Sequence, residues 1–185
     1  MRVEIIDDTE GRGPALAFPP GENYVDLREN PHAVERIAPA RQHVPLRTFL
    51  AAVNGTDSLF ASASSGTQAD SPATVSAGEA YEFASQARLV FAESSANFVR
   101  DRYRDLTAGL KELLERDSGD AMRAVLRISP CDFPAQNRRG FCLSIRLVAH
   151  GASAEQAEMR WGLGLARMQQ ALLFTARALR QQLGE

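Results

Sequence analysis

Three arginines and a group of serines are the residues whose types and spacing could do chemistry. Arg88, Arg127 and Arg146 lie in stretches that alternate apolar and polar residues, and Ser62, Ser64, Ser129 and Ser144 fall at the polar positions of those stretches. Successive side chains of a strand point to opposite faces, so these residues would share one side of a sheet whose other side is apolar. Guanidinium forks and hydroxyls on one surface suit a carboxylate or a phosphate, which makes Arg88, Arg127, Arg146 and Ser144 the candidate anion-binding residues. If Arg127 and Arg146 stand directly opposite across a hairpin, their like charges repel unless an acid, an anion or a partner lies between them. A register two residues away separates them and leaves an ordinary solvated face.

The other reactive residue types are sparse. Cys131 and Cys142 would face each other in the same hairpin register, which permits a disulfide if their Cα atoms come within about 6 Å. Neither belongs to a Cys-x-x-Cys pair, and a chain without an export signal is expected to keep both as thiols. His32 and Glu35 sit one helical turn apart, but a metal needs more converging groups and His43 lies beyond a proline, so no metal site is expected. His150, beside the turn into the last helix, could act as an acid or base or be purely structural. No Walker loop, dinucleotide glycine fingerprint, Gly-x-Ser-x-Gly elbow or His-Glu-x-x-His occurs, and the expectation is a non-enzymatic protein without a cofactor.

Composition narrows the classes further. The 185 residues are 44% hydrophobic and 24% charged with a net charge of −2, which fits one soluble domain and provides no basic field to recruit nucleic acid. Lys111 is the only lysine, as the codon bias of a GC-rich bacterial genome would produce, so clustered arginines carry less meaning here than elsewhere. No apolar run is long enough to span a bilayer, and residues 1–8 lack the apolar core of a signal peptide. A cytoplasmic protein without membrane or nucleic-acid partners is expected.

The elements that must position these residues are ordered around the last thirty or so positions. Trp161, Leu165, Met168, Leu172, Leu179 and Leu183 recur at helical spacing, and Ser153 with Gln156 forms a capping box while Gly184 supplies the stop. Gly162 and Gly164 inside this helix indicate either close packing or a kink. Upstream, Val3 to Asp7 and Tyr24 to Leu27 read as short strands, separated by a loop with Gly11, Gly13 and Pro14. Helices are expected near 31–38 and 45–53. A first hairpin is predicted with Leu59 opposite Phe91, Ala61 opposite Leu89 and Ala63 opposite Ala87. A helix capped at Ser94 or Ser95 follows, with a stripe of Val99, Tyr103, Leu106, Leu110 and Leu113. The second hairpin is predicted with Ala124 opposite Ala149, Leu126 opposite Leu147 and Ile128 opposite Ile145.

The chain therefore reads as a single α+β domain over 1–185, with an irregular, partly helical segment at 1–56 and hairpin-helix units at 57–117 and 121–185. The predicted fold is a two-layer sandwich, an antiparallel sheet of two β-hairpins each followed by a long helix (ββα-ββα), with both helices on its apolar face. Small secretion chaperones share this general order of elements, and helix-grip lipid-binding domains also end in a long helix after a sheet, but no residue motif ties the chain to either. The expected function is a binding or assembly domain that acts as a homo-oligomer or with a protein partner. The alternative is an anion-binding protein, conceivably an enzyme, that uses the arginine and serine face.

Overall fold

The computed structural model describes residues 1–8, 16–20, 24–56, 58–70, 81–116 and 121–183, without the side chains of Leu16, 64–70 and 181–183. Gly11, Gly13, Pro14 and Gly184, and the side chains of Ser64 and Leu183, lie outside this description. Among the described residues the architecture is α+β. A mixed sheet of β1 (Arg2–Asp7), β3 (Phe60–Asp70), β4 (Tyr81–Phe91), β5 (Met122–Phe133) and β6 (Arg138–Gly151) runs in the order β1-β5-β6-β4-β3, and the two-residue β2 (Leu16–Ala17) also pairs with β5.

The sheet is mixed, not antiparallel, because β1 runs parallel to β5, with Val3 beside Ala124 and Ile5 beside Leu126. The first strand thus belongs to the sheet instead of to an irregular leader. Its outer edge is covered by α3 (Arg100–Glu115): the Val3 amide donates to Glu115 Oε1 at 3.1 Å and Lys111 Nζ donates to the Val3 carbonyl at 3.2 Å. Satisfying an edge in this way removes a template for pairing with other chains.

Both hairpins form, each in a register other than the predicted one. In the second, Ala124 pairs with Leu147, Leu126 with Ile145 and Ile128 with Leu143. The shift is even, so the apolar face is unchanged. It arises at the turn, where Pro134 opens a short 3-10 turn and Asn137 takes a left-handed conformation at φ 46°, closing the hairpin at Phe133 and Arg138. In the first hairpin the shift is odd. Phe60 pairs with Phe91 and Ser62 with Leu89, and a bulge at Ala63 then brings Ser64 opposite Arg88. Phe60 and Ser62 consequently face the helices while Ala61 faces away, the reverse of the prediction. Phe60 wins the interior because its ring stacks on Phe91 at 5.4 Å. Ser62 is tolerated there because Asn54 accepts its amide proton at 2.9 Å and donates to its hydroxyl at 2.9 Å.

Between β2 and β3 the chain forms a 3-10 turn (Pro31–Arg36), α1 (Ala38–Gln42) and α2 (Val44–Val53). The predicted break falls differently because Pro39 and Pro45 each occupy a first helical turn, where no amide is missed. Tyr24 to Leu27 is not a strand. The neighbouring Arg28 instead gathers the carbonyls of Gly55, Ser58 and Phe60 at 2.9 to 3.3 Å. α3 begins at Arg100 and not at Ser94 or Ser95, because Asn97 is diverted to Phe91: it accepts the Phe91 amide at 2.7 Å and donates to the Phe91 carbonyl at 2.8 Å. Val99, predicted to be buried, is 44% exposed, while Tyr103, Leu106 and Leu110 are buried as expected.

The last helix, α4, spans Ala154–Leu183. The Ser153 hydroxyl accepts the Gln156 amide at 3.2 Å and Gln156 Oε1 accepts the Ala152 amide at 2.7 Å, a reciprocal cap. Trp161, Leu165, Met168 and Leu172 are buried, and Leu179 packs partly buried against them. Gly162 and Gly164 serve close packing within an uninterrupted helix: a Cβ would stand 3.1 Å from Pro45 at the first and 3.0 Å from Leu147 at the second. The core lies between the apolar sheet face and α2, α3 and α4.

Truncating Leu172→Ala is expected to lower stability in urea by about 2 to 5 kcal/mol. Asp105→Ala, on the exposed side of α3, should stay within about 0.5 kcal/mol. Equal midpoints for the two variants would contradict the packing of α4.

A pH dependence follows from the tyrosines. Burial, with Asp26 and Glu29 adding to it, pushes the Tyr24 phenol up to about 12. Burial, followed by the neighbouring Cys142, holds Tyr103 well above its usual range. In the unfolded chain both ionise near about 10. The stability tied to their protonated forms is therefore complete below about pH 10 and is lost as pH rises towards 12 and beyond. Urea melts should weaken across that window, and a Tyr24→Phe variant should show a shallower decline together with loss of one phenolate absorbance step.

Candidate functional site

The sheet face turned away from the helices holds all four candidate residues. Register places Arg127 of β5 opposite Ser144 of β6, and Ser144 opposite Arg88 of β4, in one cross-strand row. Arg146 occupies the next row, between Val125 and Gln86. Arg127 and Arg146 are therefore not opposed, and the repulsion anticipated from the predicted register does not arise.

Charge on this face is largely paired. Arg127 meets Asp8 at 3.0 Å, Arg146 meets Glu82 at 3.6 Å, and Arg123 is bonded to Glu4. Arg88 differs. Its Nε is closed off from solvent and has no hydrogen-bond partner among the described residues. Ser144 is 8% exposed, and Ser129 lies half-buried opposite Cys142. Ser62 belongs to the helix-facing side, as described above.

Cys131 pairs with Gly140 and Cys142 with Ser129, so the cysteines are diagonal neighbours and not directly opposed. Both are free and buried in a small second core with Ala61, Val90 and Phe133, flanked by Phe18 and Phe98. Cys131 Sγ donates to the Asp132 carbonyl at 3.8 Å. The neighbouring Cys142, with burial, pushes the Cys131 thiol up, while the neighbouring Cys131 lowers Cys142 against its burial, with Arg88 pulling in the same direction.

The histidines do not converge. His32 and Glu35 are exposed, with Glu35 bonded to Arg47 at 3.0 Å, whereas His43 lies 2.8 Å from Glu158 and packs against Phe83 and Trp161. Among the described residues no group of three or more His, Cys, Asp or Glu could hold a metal ion. His150 pairs across the sheet with Glu82, and its Nδ1 is buried without a hydrogen-bond partner among the described residues.

A second surface was not anticipated from the sequence. Met159, Leu163 and Phe174 on α4 are 60%, 57% and 62% exposed, and with exposed Glu155, Ala166, Gln170 and Arg177 they recur at steps of three or four along the outer side of the helix. That recurrence is visible in the sequence as a second stripe, set opposite the first. Where α3 meets α4, Leu113, Leu114, Arg167, Gln170, Ala171 and Phe174 line a groove of about 260 Å³.

The chain matches no known protein family, and neither curated proteins nor solved structures offer a match to it.

Because Cys131 and Cys142 are 2% and 1% exposed, a thiol reagent should label neither in the folded protein and both after denaturation. Intact mass should equal that of the dithiol. A mass two protons lower, or rapid labelling of the folded chain, would contradict the buried free pair.

Proposed function

We propose that the protein is a non-enzymatic binding and assembly domain that works as a homodimer, joined by the outer face of α4 in each copy, with its two layers serving as the scaffold that presents this helix. The observation that carries the reading is the exposed line Met159, Leu163, Ala166 and Phe174. Isolated apolar residues on a surface are ordinary, but a contiguous helical stripe is the kind of patch that marks an interaction site.

The occupant is a second copy because the stripe is complementary to itself. Acidic Glu155 stands at its N-terminal end and basic Arg177 at its C-terminal end. An antiparallel pairing about an axis near Ala166 sets Glu155 against Arg177 of the partner subunit, and Met159 beside Phe174 of the partner subunit at the mouth of its groove. The small, exposed Ala166 at the centre allows close approach, and the contact line from 155 to 177 runs for about 33 Å.

Magnitudes place this association in an intermediate range. Burying the remaining exposed part of three large side chains from each copy contributes roughly 5 to 11 kcal/mol, comparable to the association cost of about 4 to 15 kcal/mol. The end charges and the shape of the groove then decide the affinity, and a micromolar dimer is the expected outcome. The net charge of −2 offers little attraction to nucleic acid, and no described helix is long and apolar enough to cross a membrane.

Light scattering should show a monomer–dimer equilibrium at micromolar concentration. Leu163→Glu should give a monomer with an unchanged circular dichroism spectrum. Glu155→Arg should weaken the dimer severalfold, and adding Arg177→Glu should restore it. A wild-type chain that stays monomeric at a hundred micromolar would remove the proposal.

A further inference from the structure

We propose that the row Arg127–Ser144–Arg88 on the open sheet face binds the carboxylate of a small organic acid, with Arg88 as the charge that recognises it. The three residues sit on adjacent strands in register. Neighbouring strands are about 4.8 Å apart, so the two arginine Cα atoms stand roughly 10 Å from each other with the serine midway. The Arg127 guanidinium turns to Asp8 on the β1 side of β5, and Ser144 stands beside Arg88 in the row.

The surroundings of Arg88 set it apart. Arg127, Arg146 and Arg123 have the acidic partners Asp8, Glu82 and Glu4, and Arg138 lies over the Phe98 ring at 3.9 Å from its centroid. Arg88 Nε is shut away from water and has no hydrogen-bond partner among the described residues. A guanidinium whose stem is desolvated delivers its charge at the terminal nitrogens, where a bound anion is worth more than at a fully solvated arginine. The burial cost of an unsatisfied Nε is also one that proteins seldom carry without a use.

Ser144 is buried to 8% exposure. It can donate to one carboxylate oxygen while Arg88 donates to the other. Arg127, held by Asp8 on the β1 side, ends the row.

The class of ligand follows from charge. The single guanidinium of Arg88 balances one negative charge, which a carboxylate carries. A phosphate monoester at neutral pH brings about −1.5 to −2, and Asp8 and Glu82 on the same face oppose the excess. The site is independent of the α4 surface, so either proposal can fail alone.

The test is a titration of the full-length protein with acetate and with benzoate at constant ionic strength, read by the side-chain Nε–Hε resonance of Arg88 and the Ser144 amide in heteronuclear NMR. Both signals should shift saturably in the millimolar range. Arg88→Gln should abolish saturation at the Ser144 amide, and Ser144→Ala should weaken binding by about fivefold, the loss of one hydrogen bond. Arg88→Lys, which retains the charge, should bind at reduced affinity and keeps the test open if the glutamine variant does not fold. Absence of a saturable shift in the wild type, or saturation that persists in Arg88→Gln, would overturn the site. Tighter binding of inorganic phosphate than of acetate would overturn the carboxylate assignment.

Discussion

Burying Trp161 imposes two requirements at once, an apolar enclosure and an acceptor for its indole N–H. Both come from β4. The ring packs on Phe83 at 4.6 Å, and Nε1 donates to Ser85 Oγ at 2.8 Å. Because these residues sit two apart on one strand, the pair fixes the position of α4 along β4 as well as its distance from the sheet. The rest of the helix then follows its period, with Leu165, Met168 and Leu172 turned inward and Met159, Leu163 and Phe174 turned outward. The exposed stripe that the dimer reading depends on is thus the geometric remainder of seating the indole.

A similar economy governs the other buried polar groups. Asn54 lets the odd register of the first hairpin exist by satisfying Ser62, and Asn97 joins the end of β4 to α3 by bonding both the amide and the carbonyl of Phe91. Tyr103 adds a third tie, its hydroxyl lying 2.7 Å from Asn97 Oδ1 and 2.8 Å from the Phe141 carbonyl. Each of these side chains anchors a place where the chain leaves regular structure, and removing either asparagine would leave backbone groups buried without partners.

Period and capping made the inward face of α4, most of α3 and the apolar faces of β4, β5 and β6 readable from the sequence, because each rests on local spacing. What escaped was decided between distant residues. Nothing near Phe60 announces that Asn54 will satisfy Ser62, so alternation placed β3 on the wrong face. Nothing in residues 2–7 announces a parallel partner in β5. The arginine and serine positions on the open face were legible as types, but their pairing was not, since it turns on where Pro134 and Asn137 close the second hairpin. The outer stripe of α4 was present in the spacing and was masked by the stronger inner one.

β1 is synthesised before the other described elements and is among the last to find its partner. Val3 pairs with Ala124, roughly 120 residues later, and contacts so far apart in sequence form slowly because a large loop must close first. At an elongation rate of about 5 to 20 residues per second, β1 waits on the order of 6 to 24 seconds for β5 to be made. Until then it has neither a sheet to join nor a settled α3 to cover its outer edge. The first hairpin and α3, built from neighbouring residues, can form during this interval, and docking of the first strand on β5 later completes the sheet. In the nascent chain Val3 and Ile5 stand on a strand with both edges open, where pairing with another chain competes with folding.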